Sequence, residues 1–347
     1  MKWRGVALAV STWLMVAATA WAFDVVRAAG RPVISGKVLR TSQLEVVVEQ
    51  GSSDGLIKKV PVNEIIGITY DQDPTPLKTA RTHVAGGHFE EALGSLEKLD
   101  SARIGREEIK ADVEFYKAYC RAQLALGGHG EVAAAGKEMI AFVSSHAESY
   151  HWLKANEIVG DLLVANGSFA AAETYYAKLG EAPWNDYKMR AGVAIGRALL
   201  AQKKYAEALR SFEMVLALTA DGDRAESQRI AATLGKARVL AAENNPDEAV
   251  KLAEGVLGRL NADQTDMLAQ AYNVLGTAQR AAGRAKDARF AFLHVDLLYS
   301  SVPEAHAEAL FNLAQLWGEL QRPDRAAQAR QTLQQQYKNS PWAKQPK

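Results

Sequence analysis

Cysteine is almost missing from this chain. Cys120 is the single one in 347 residues, so no internal disulfide can form and no Cys/His cluster is there to hold zinc. Its setting on a predicted helix reads as a small buried hydrophobe. The seven histidines (His83, His88, His129, His146, His151, His294 and His306) form no HxxxH or HExxH pair. His146 and His151 stand five apart, on different sides of a helix, and read with the others as surface or capping residues. Asp221-Gly222-Asp223 lacks the further ligands and terminal Glu of a calcium loop, so it reads as a turn. Neither a phosphate-cradling glycine loop nor a G-x-S-x-G elbow is present. No catalytic residue, cofactor site or metal site is expected. An excess of either charge is also lacking: 41 basic against 40 acidic residues give +1. That balance offers no electrostatic case for nucleic acid or an anionic membrane surface.

Beyond residue 22 no run is long and apolar enough to span a bilayer. The first 22 residues differ. Met1-Lys2-Trp3-Arg4 is a basic start, Gly5 to Ala22 is mostly apolar or small, and Ala20-Trp21-Ala22 gives the A-x-A pattern that a signal peptidase reads. The expectation is an exported protein, periplasmic or envelope-associated, cleaved before Phe23. The alternative is an uncleaved N-terminal anchor. No cysteine follows Ala22, so the lipid-modified start of an envelope lipoprotein is absent.

Residues 23–71 are rich in short Val/Ile runs: Asp24–Ala28, Val33–Arg40, Leu44–Gln50, Ile57–Val62 and Ile65–Tyr70. Turn signals separate them, and Leu44 to Glu49 partly alternates as a half-buried strand should. Five short strands in so small a span predict a small closed barrel. Gly36-Lys37-Val38 opening a long strand and Val60 to Ile65 leading into the last one resemble an SH3-like or Sm-like barrel. A true Sm-like protein would imply RNA binding. The loop Arg40-Thr41-Ser42-Gln43 lacks the acid or amide with aromatic company that RNA-binding members carry, so a docking or capping role is the expectation. Residues 72–76 form a short hinge, with Thr75 placed to cap the first helix and Pro76 suited to its first turn.

From residue 77 to 337 one pattern recurs seven times, as a turn residue followed five positions later by alanine. The pairs are Gly87/Ala92, Gly128/Ala133, Gly167/Ala172, Lys203/Ala208, Asn244/Ala249, Gly283/Ala288 and Gln321/Ala326. The alanines lie 41, 39, 36, 41, 39 and 38 residues apart, a period that signals stacked helix pairs. Tyr272-Asn273-Val274-Leu275-Gly276, then Gly283, Ala288 and Phe292, carry the pattern best. Gly196, Ala208 and Phe212 repeat it, and Gly160, Ala172 and Tyr176 do so more loosely. On these residues the helical part resembles the tetratricopeptide-repeat superfamily, with a longer repeat than the family's usual one and a degenerate second copy. The expected fold class is mainly α, a seven-pair solenoid behind a five-stranded barrel, with residues 338–347 as a tail.

The resemblance implies a non-enzymatic protein-protein interaction scaffold whose first helices line a concave groove. Carried onto this sequence, that groove includes Glu157, Asp161, Arg190, Arg197, Arg238, Asn273, Thr277 and Arg280. Arg197, Arg238 and Arg280 would form a basic seam for a carboxylate-bearing partner segment, or pair with acids on adjacent repeats. The implied partners are other proteins, with no nucleic acid and no membrane span unless the first segment stays attached. A peptidoglycan- or carbohydrate-binding alternative needs Tyr150, Trp152, Tyr175 and Trp184 lined up on an open face.

Overall fold

A computed structural model describes residues 23–51, 55–100 and 103–345. The N-terminal segment with its A-x-A pattern lies outside them. Five strands run β1 (Asp24–Ala28), β2 (Ile34–Thr41), β3 (Glu45–Gln50), β4 (Leu56–Pro61) and β5 (Ile65–Thr69). They form one antiparallel sheet in the order β4-β3-β2-β1-β5. A 3-10 turn, Val62–Glu64, leads from β4 to β5, and the register shifts at Val38/Arg40 and Arg27/Ala28 bend the sheet. Among the described residues β4 and β5 do not pair, so hydrogen bonding leaves these two edges open. The buried face carries Val26, Ile34, Val38, Val46, Val48, Val60 and Ile68, the alternation that the sequence displays.

Fourteen helices follow among the described residues, as seven consecutive pairs. They are α1 (Thr75–Ala85) with α2 (Phe89–Leu96), α3 (Glu107–Leu126) with α4 (Val132–Ser145), and α5 (Trp152–Ala165) with α6 (Phe169–Gly180). Next come α7 (Asn185–Ala201) with α8 (Tyr205–Ala217), α9 (Asp223–Ala242) with α10 (Pro246–Leu257), α11 (Thr265–Ala281) with α12 (Ala285–Leu298), and α13 (Pro303–Glu319) with α14 (Pro323–Gln336). Pro76 sits in the first turn of α1 as expected, but Pro74 rather than Thr75 is its N-cap. No side chain caps this helix; Asp73 just before it accepts the Tyr70 N–H at 3.0 Å and closes the turn that leads from β5.

All seven recurring turn residues adopt a left-handed backbone, with φ between 56° at Gln321 and 86° at Gly128. In each, the following N–H reaches back to a carbonyl five residues earlier, as in Lys204 to Leu199 at 3.0 Å and Arg322 to Trp317 at 2.8 Å. That bond satisfies a helix-end carbonyl and turns the chain into its partner helix. Glycine suits the geometry at four of these turns, whereas Lys203 and Gln321 carry a Cβ there. Replacing either by Gly is expected to raise stability by about 0.5–1 kcal/mol, read from urea unfolding.

The second pair departs from the expected register. Ala133 is exposed and Ala135 is the buried alanine, because α4 begins four residues after Gly128 while the other second helices begin two after their turn. Gly130-Glu131 is the insertion. The small residues of the first helices make room for side chains. A Cβ on Gly196 would stand 2.6 Å from the Phe212 ring, and one on Gly276 2.8 Å from Phe292. Gly160 makes the same room for Tyr176, and Gly235 of the next repeat faces Phe212 from the other side. Each glycine is the socket for an aromatic ring.

The first helices pack together as α3 with α5 and as α7, α9, α11 and α13 in succession, and α5 meets α7 through the Glu157–Arg190 pair. Bonds such as Arg197 to Gln270 and Arg238 to Glu308 skip one first helix, which sets these helices on the inner side of the winding. The winding brings distant parts together. Arg224 at the start of α9 donates to the Asn63 carbonyl, and Asn339 Nδ2, beyond α14, donates to the Gly128 carbonyl at 2.6 Å. The tail folds back, with the Trp342 ring 5.5 Å from that of Phe311.

Candidate functional site

The eight predicted groove residues all lie on α5, α7, α9 and α11, and their contacts divide them into two groups. Toward the N-terminal side, Glu157 accepts from Lys154 at 2.8 Å and pairs with Arg190, whose guanidinium lies 4.9 Å from the Tyr187 ring centre. Burial opposes ionisation of Glu157, but Lys154 and Arg190 outweigh it and hold its carboxyl below the usual range. One turn along, Asp161 accepts the Tyr176 hydroxyl at 2.8 Å. Burial, and after it the Glu157 charge, push its carboxyl up to about 6.

This shift sets a pH dependence. Between about 4 and 6 the folded form binds more protons at Asp161 than the unfolded chain, so this site's contribution to stability falls as pH rises through that window. Asp161→Asn keeps an acceptor for Tyr176 and removes the ionisation. We expect it to flatten that slope and to raise stability at pH 8 by about 1–2 kcal/mol, measured by urea unfolding across pH.

Toward the C-terminal side, the arginines reach across repeats. Arg238 on α9 binds Glu308 on α13 bidentately at 2.6 and 2.9 Å. Asn273, fully buried between them, donates to the Ala305 carbonyl at 2.8 Å and lies 3.4 Å from Glu308. Arg280 donates to Gln315 at 2.7 Å and pairs with Glu319. Thr277 bonds within its own helix, to the Asn273 carbonyl at 2.9 Å. Arg238 and Arg280 therefore meet acids of the chain itself, the second of the two expected arrangements. Arg197 differs: it donates to the neutral Gln270 amide of α11 at 3.3 Å and makes no ion pair among the described residues.

The densest polar cluster lies elsewhere, where the sheet meets the first repeats. Asp112, buried on α3, accepts from Arg81 at 2.5 Å and lies 3.1 Å from His151 Nε2 and 3.4 Å from the Tyr150 hydroxyl. Arg81 also pairs with Asp73 in the former hinge. The His151 ring stacks on Phe115 with centroids 3.7 Å apart. Burial holds the His151 pKa below its ordinary value, so at neutral pH the ring donates as a neutral group and Arg81 carries the compensating charge. Burial alone would raise Asp112, but His151 and Arg81 reverse the direction and keep it ionised. Asp24 is a second anchor: Arg106 binds it at 2.7 and 2.8 Å, and it accepts the Val38 and Asp71 N–H groups.

Reading the histidines as surface or capping groups therefore fails at His151 and at His306. His306 is buried between Tyr337 and Asp296, at 2.8 and 2.9 Å. The sequence did hold one signal. Ile109, Val113, Tyr116 and Cys120 form an apolar stripe on α3, and Asp112 sits within it. Cys120 is buried, and burial pushes its thiol up to about 11, as expected of a packing residue.

The four aromatics of the carbohydrate alternative do not share an open face. Tyr150 is buried in the Asp112 cluster, Lys178 lies over Trp152 and Tyr175 at 5.5 and 4.7 Å, and Trp184 packs edge-on to Tyr187 at 5.4 Å. In the 40–43 loop, Thr41 and Gln43 donate to the carbonyls of Glu148 and Ala147 at 3.1 and 2.8 Å, which turns that loop toward the solenoid. Among the described residues no helix is long and apolar enough to cross a membrane.

Helix pairs with left-handed turns, glycine sockets and an inner layer of first helices define the tetratricopeptide-repeat fold, and solved structures agree. The chain is similar to a tetratricopeptide repeat protein from Parabacteroides merdae, with a TM-score of 0.55 and 15% identity, covering 76% of this chain and 92% of that one. It is similar to the apo form of RapI, with a TM-score of 0.58 and 13% identity over 75% of this chain and 98% of that one. A Rap protein complexed with competence and sporulation factor matches with a TM-score of 0.55 and 12% identity, over 78% and 76% of the two chains. By sequence, no family model and no curated protein matches.

Proposed function

We propose that this protein is a non-enzymatic protein-interaction scaffold of the bacterial cell envelope, binding partner polypeptides along the inner layer of its solenoid. The observation that carries the reading is the surface around α5 to α11, where Arg197 makes no direct ion pair among the described residues, feels Asp161 only at longer range, and lies beside the compensated Glu157–Arg190 pair. A cation poised beside polar groups that are already balanced favours a carboxylate on an incoming chain over a neutral one. The Rap protein of this fold, held in complex with competence and sporulation factor, supports a partner taken up by such a solenoid. The envelope location rests on the N-terminal Met1 to Ala22 pattern.

Site-specific photocrosslinking in the intact cell tests the reading. A crosslinker replacing Arg197 or Thr277 is expected to capture discrete polypeptides, and Arg197→Glu to weaken capture from position 277 by about tenfold. Crosslinks arising only from outer second-helix positions would overturn the inner-face assignment. N-terminal sequencing of the mature protein, expected to begin at Phe23, tests export separately.

A further inference from the structure

The sheet offers a second surface, independent of the solenoid's inner layer. β4 lies at the sheet edge, paired among the described residues with β3 alone. Its outward-leaning apolar residues are exposed, Leu56 at 62% and Ile57 at 50%, and Lys58 and Lys59 beside them are exposed as well. The ladder fixes which backbone groups are free. Val62 donates to the Leu44 carbonyl at 2.9 Å, and the β3–β4 register pairs Val60 with Val46 and Lys58 with Val48. In an antiparallel pair the bonding direction alternates, so Leu56, Lys58 and Val60 bond inward. The N–H and C=O groups of Ile57 and Lys59, and the C=O of Pro61, then face outward. Pro61 has this outward parity, which is where a residue without an N–H costs the sheet nothing.

At the Pro61 end the edge runs into an open cavity of about 550 Å³ between sheet and solenoid, lined by Leu44, Pro61, Pro183 and Trp184 together with Lys59, Glu45 and Glu148. The bonds from Thr41 and Gln43 to the α4–α5 connection hold its walls together before anything enters.

We propose that β4 receives an extended acidic segment of a partner protein as an added strand, with a large apolar side chain of that segment seated in the cavity. Charge chooses the occupant. Lys58 has no acidic partner among the described residues, and Lys59 has only Glu45 at 3.4 Å, which Arg40 also engages at 2.8 Å. A second copy of this chain fits badly. The two self-pairing registers with the longest overlap set Lys58 or Lys59 directly opposite itself, and like charges in that position repel. An acidic strand converts the same two lysines into cross-strand pairs. The outward amides of Ile57 and Lys59 supply the ladder bonds, and Pro61 ends the ladder where the cavity begins.

The test is fluorescence polarisation with the full chain from Phe23 and a labelled short peptide, tryptophan-valine-glutamate-glutamate-valine, whose consecutive carboxylates fall opposite Lys59 and Lys58. A version with tryptophan at the C-terminus covers parallel pairing. Saturable binding is expected, with none for the lysine analogue. Ile57→Pro removes an outward N–H while leaving the β3 ladder intact, and we expect it and the Lys58→Glu/Lys59→Glu pair each to weaken binding at least about tenfold. The peptide N-methylated at every backbone amide keeps its charge but cannot donate to the ladder in any register, so its failure to bind requires no folded variant. Undiminished binding of that peptide would reduce the contact to bare charge and overturn the proposal, as would absence of saturable binding. Sedimentation showing a dimer that Ile57→Pro dissolves would overturn it in favour of a second copy.

Discussion

Asp112→Ala is expected to destabilise the protein by about 3–5 kcal/mol, because it strips the shared acceptor from Arg81 and His151 and leaves a guanidinium without its main compensation. The expectation follows from burial. Asp112 is 1% exposed, Arg81 bridges it to Asp73, and the Tyr150 hydroxyl and His151 ring have no water to replace what is lost. Urea unfolding at pH 7 gives the number, and a loss below about 1 kcal/mol would mean that the cluster is solvated in solution. Asp112→Asn keeps an acceptor but no charge and should fall between. The pH response has a definite sign. Asp112 is held below its ordinary value of 3.8, so the stability it contributes is present above that pH and is lost as pH falls through the lowered folded value.

Phe212→Ala should cost a similar amount, about 3–5 kcal/mol, for a different reason. Phe212 is fully buried and lies between Gly196 of its own repeat and Gly235 of the next. Truncation opens a void at the contact that couples two repeats, and each repeat in a solenoid depends on its neighbour for a core. The glycines make the prediction specific. Gly235→Ala in the wild-type background should destabilise by about 1–3 kcal/mol, since its methyl meets the ring. In the Phe212→Ala background the same substitution fills space and gains helix propensity, so its effect should shrink or change sign. Purely additive costs in this cycle would show that the socket is not what fixes the ring.

Much of the fold was legible because it depends on local rules. Strand alternation located β1 to β5 within a residue or so, and the period of turn and alanine located the helix pairs. Lys203 and Gln321 were recognisable as turn residues only through their place in the repeat, since their side chains do not ask for φ near 60°, whereas Asn244 carries the side chain that, after glycine, best tolerates it. The second pair misled because Gly130-Glu131 lengthens a loop without altering composition, so the buried alanine moved from 133 to 135. The candidate site was legible in position but not in pairing. Helical spacing placed Arg197, Arg238 and Arg280 on first helices, yet the partner of Arg238 is Glu308, 70 residues away, and superhelical pitch decides that meeting. The Asp112 cluster was missed for the same cause: Asp73, Arg81, Asp112 and His151 come from four segments that meet only when α1, α3 and the start of α5 pack together.

The bond from Asn339 to Gly128 has a consequence for how the molecule unfolds. A linear array of repeats can fray from either end, because each unit answers only to its neighbours. Here a contact between residues 211 positions apart, together with Arg224 on Asn63 and Arg238 on Glu308, makes the last repeat answer to the second and the fifth to the sheet. Removal of the final helix pair would be felt at the opposite terminus, and the chain should melt in one cooperative step instead of unravelling copy by copy.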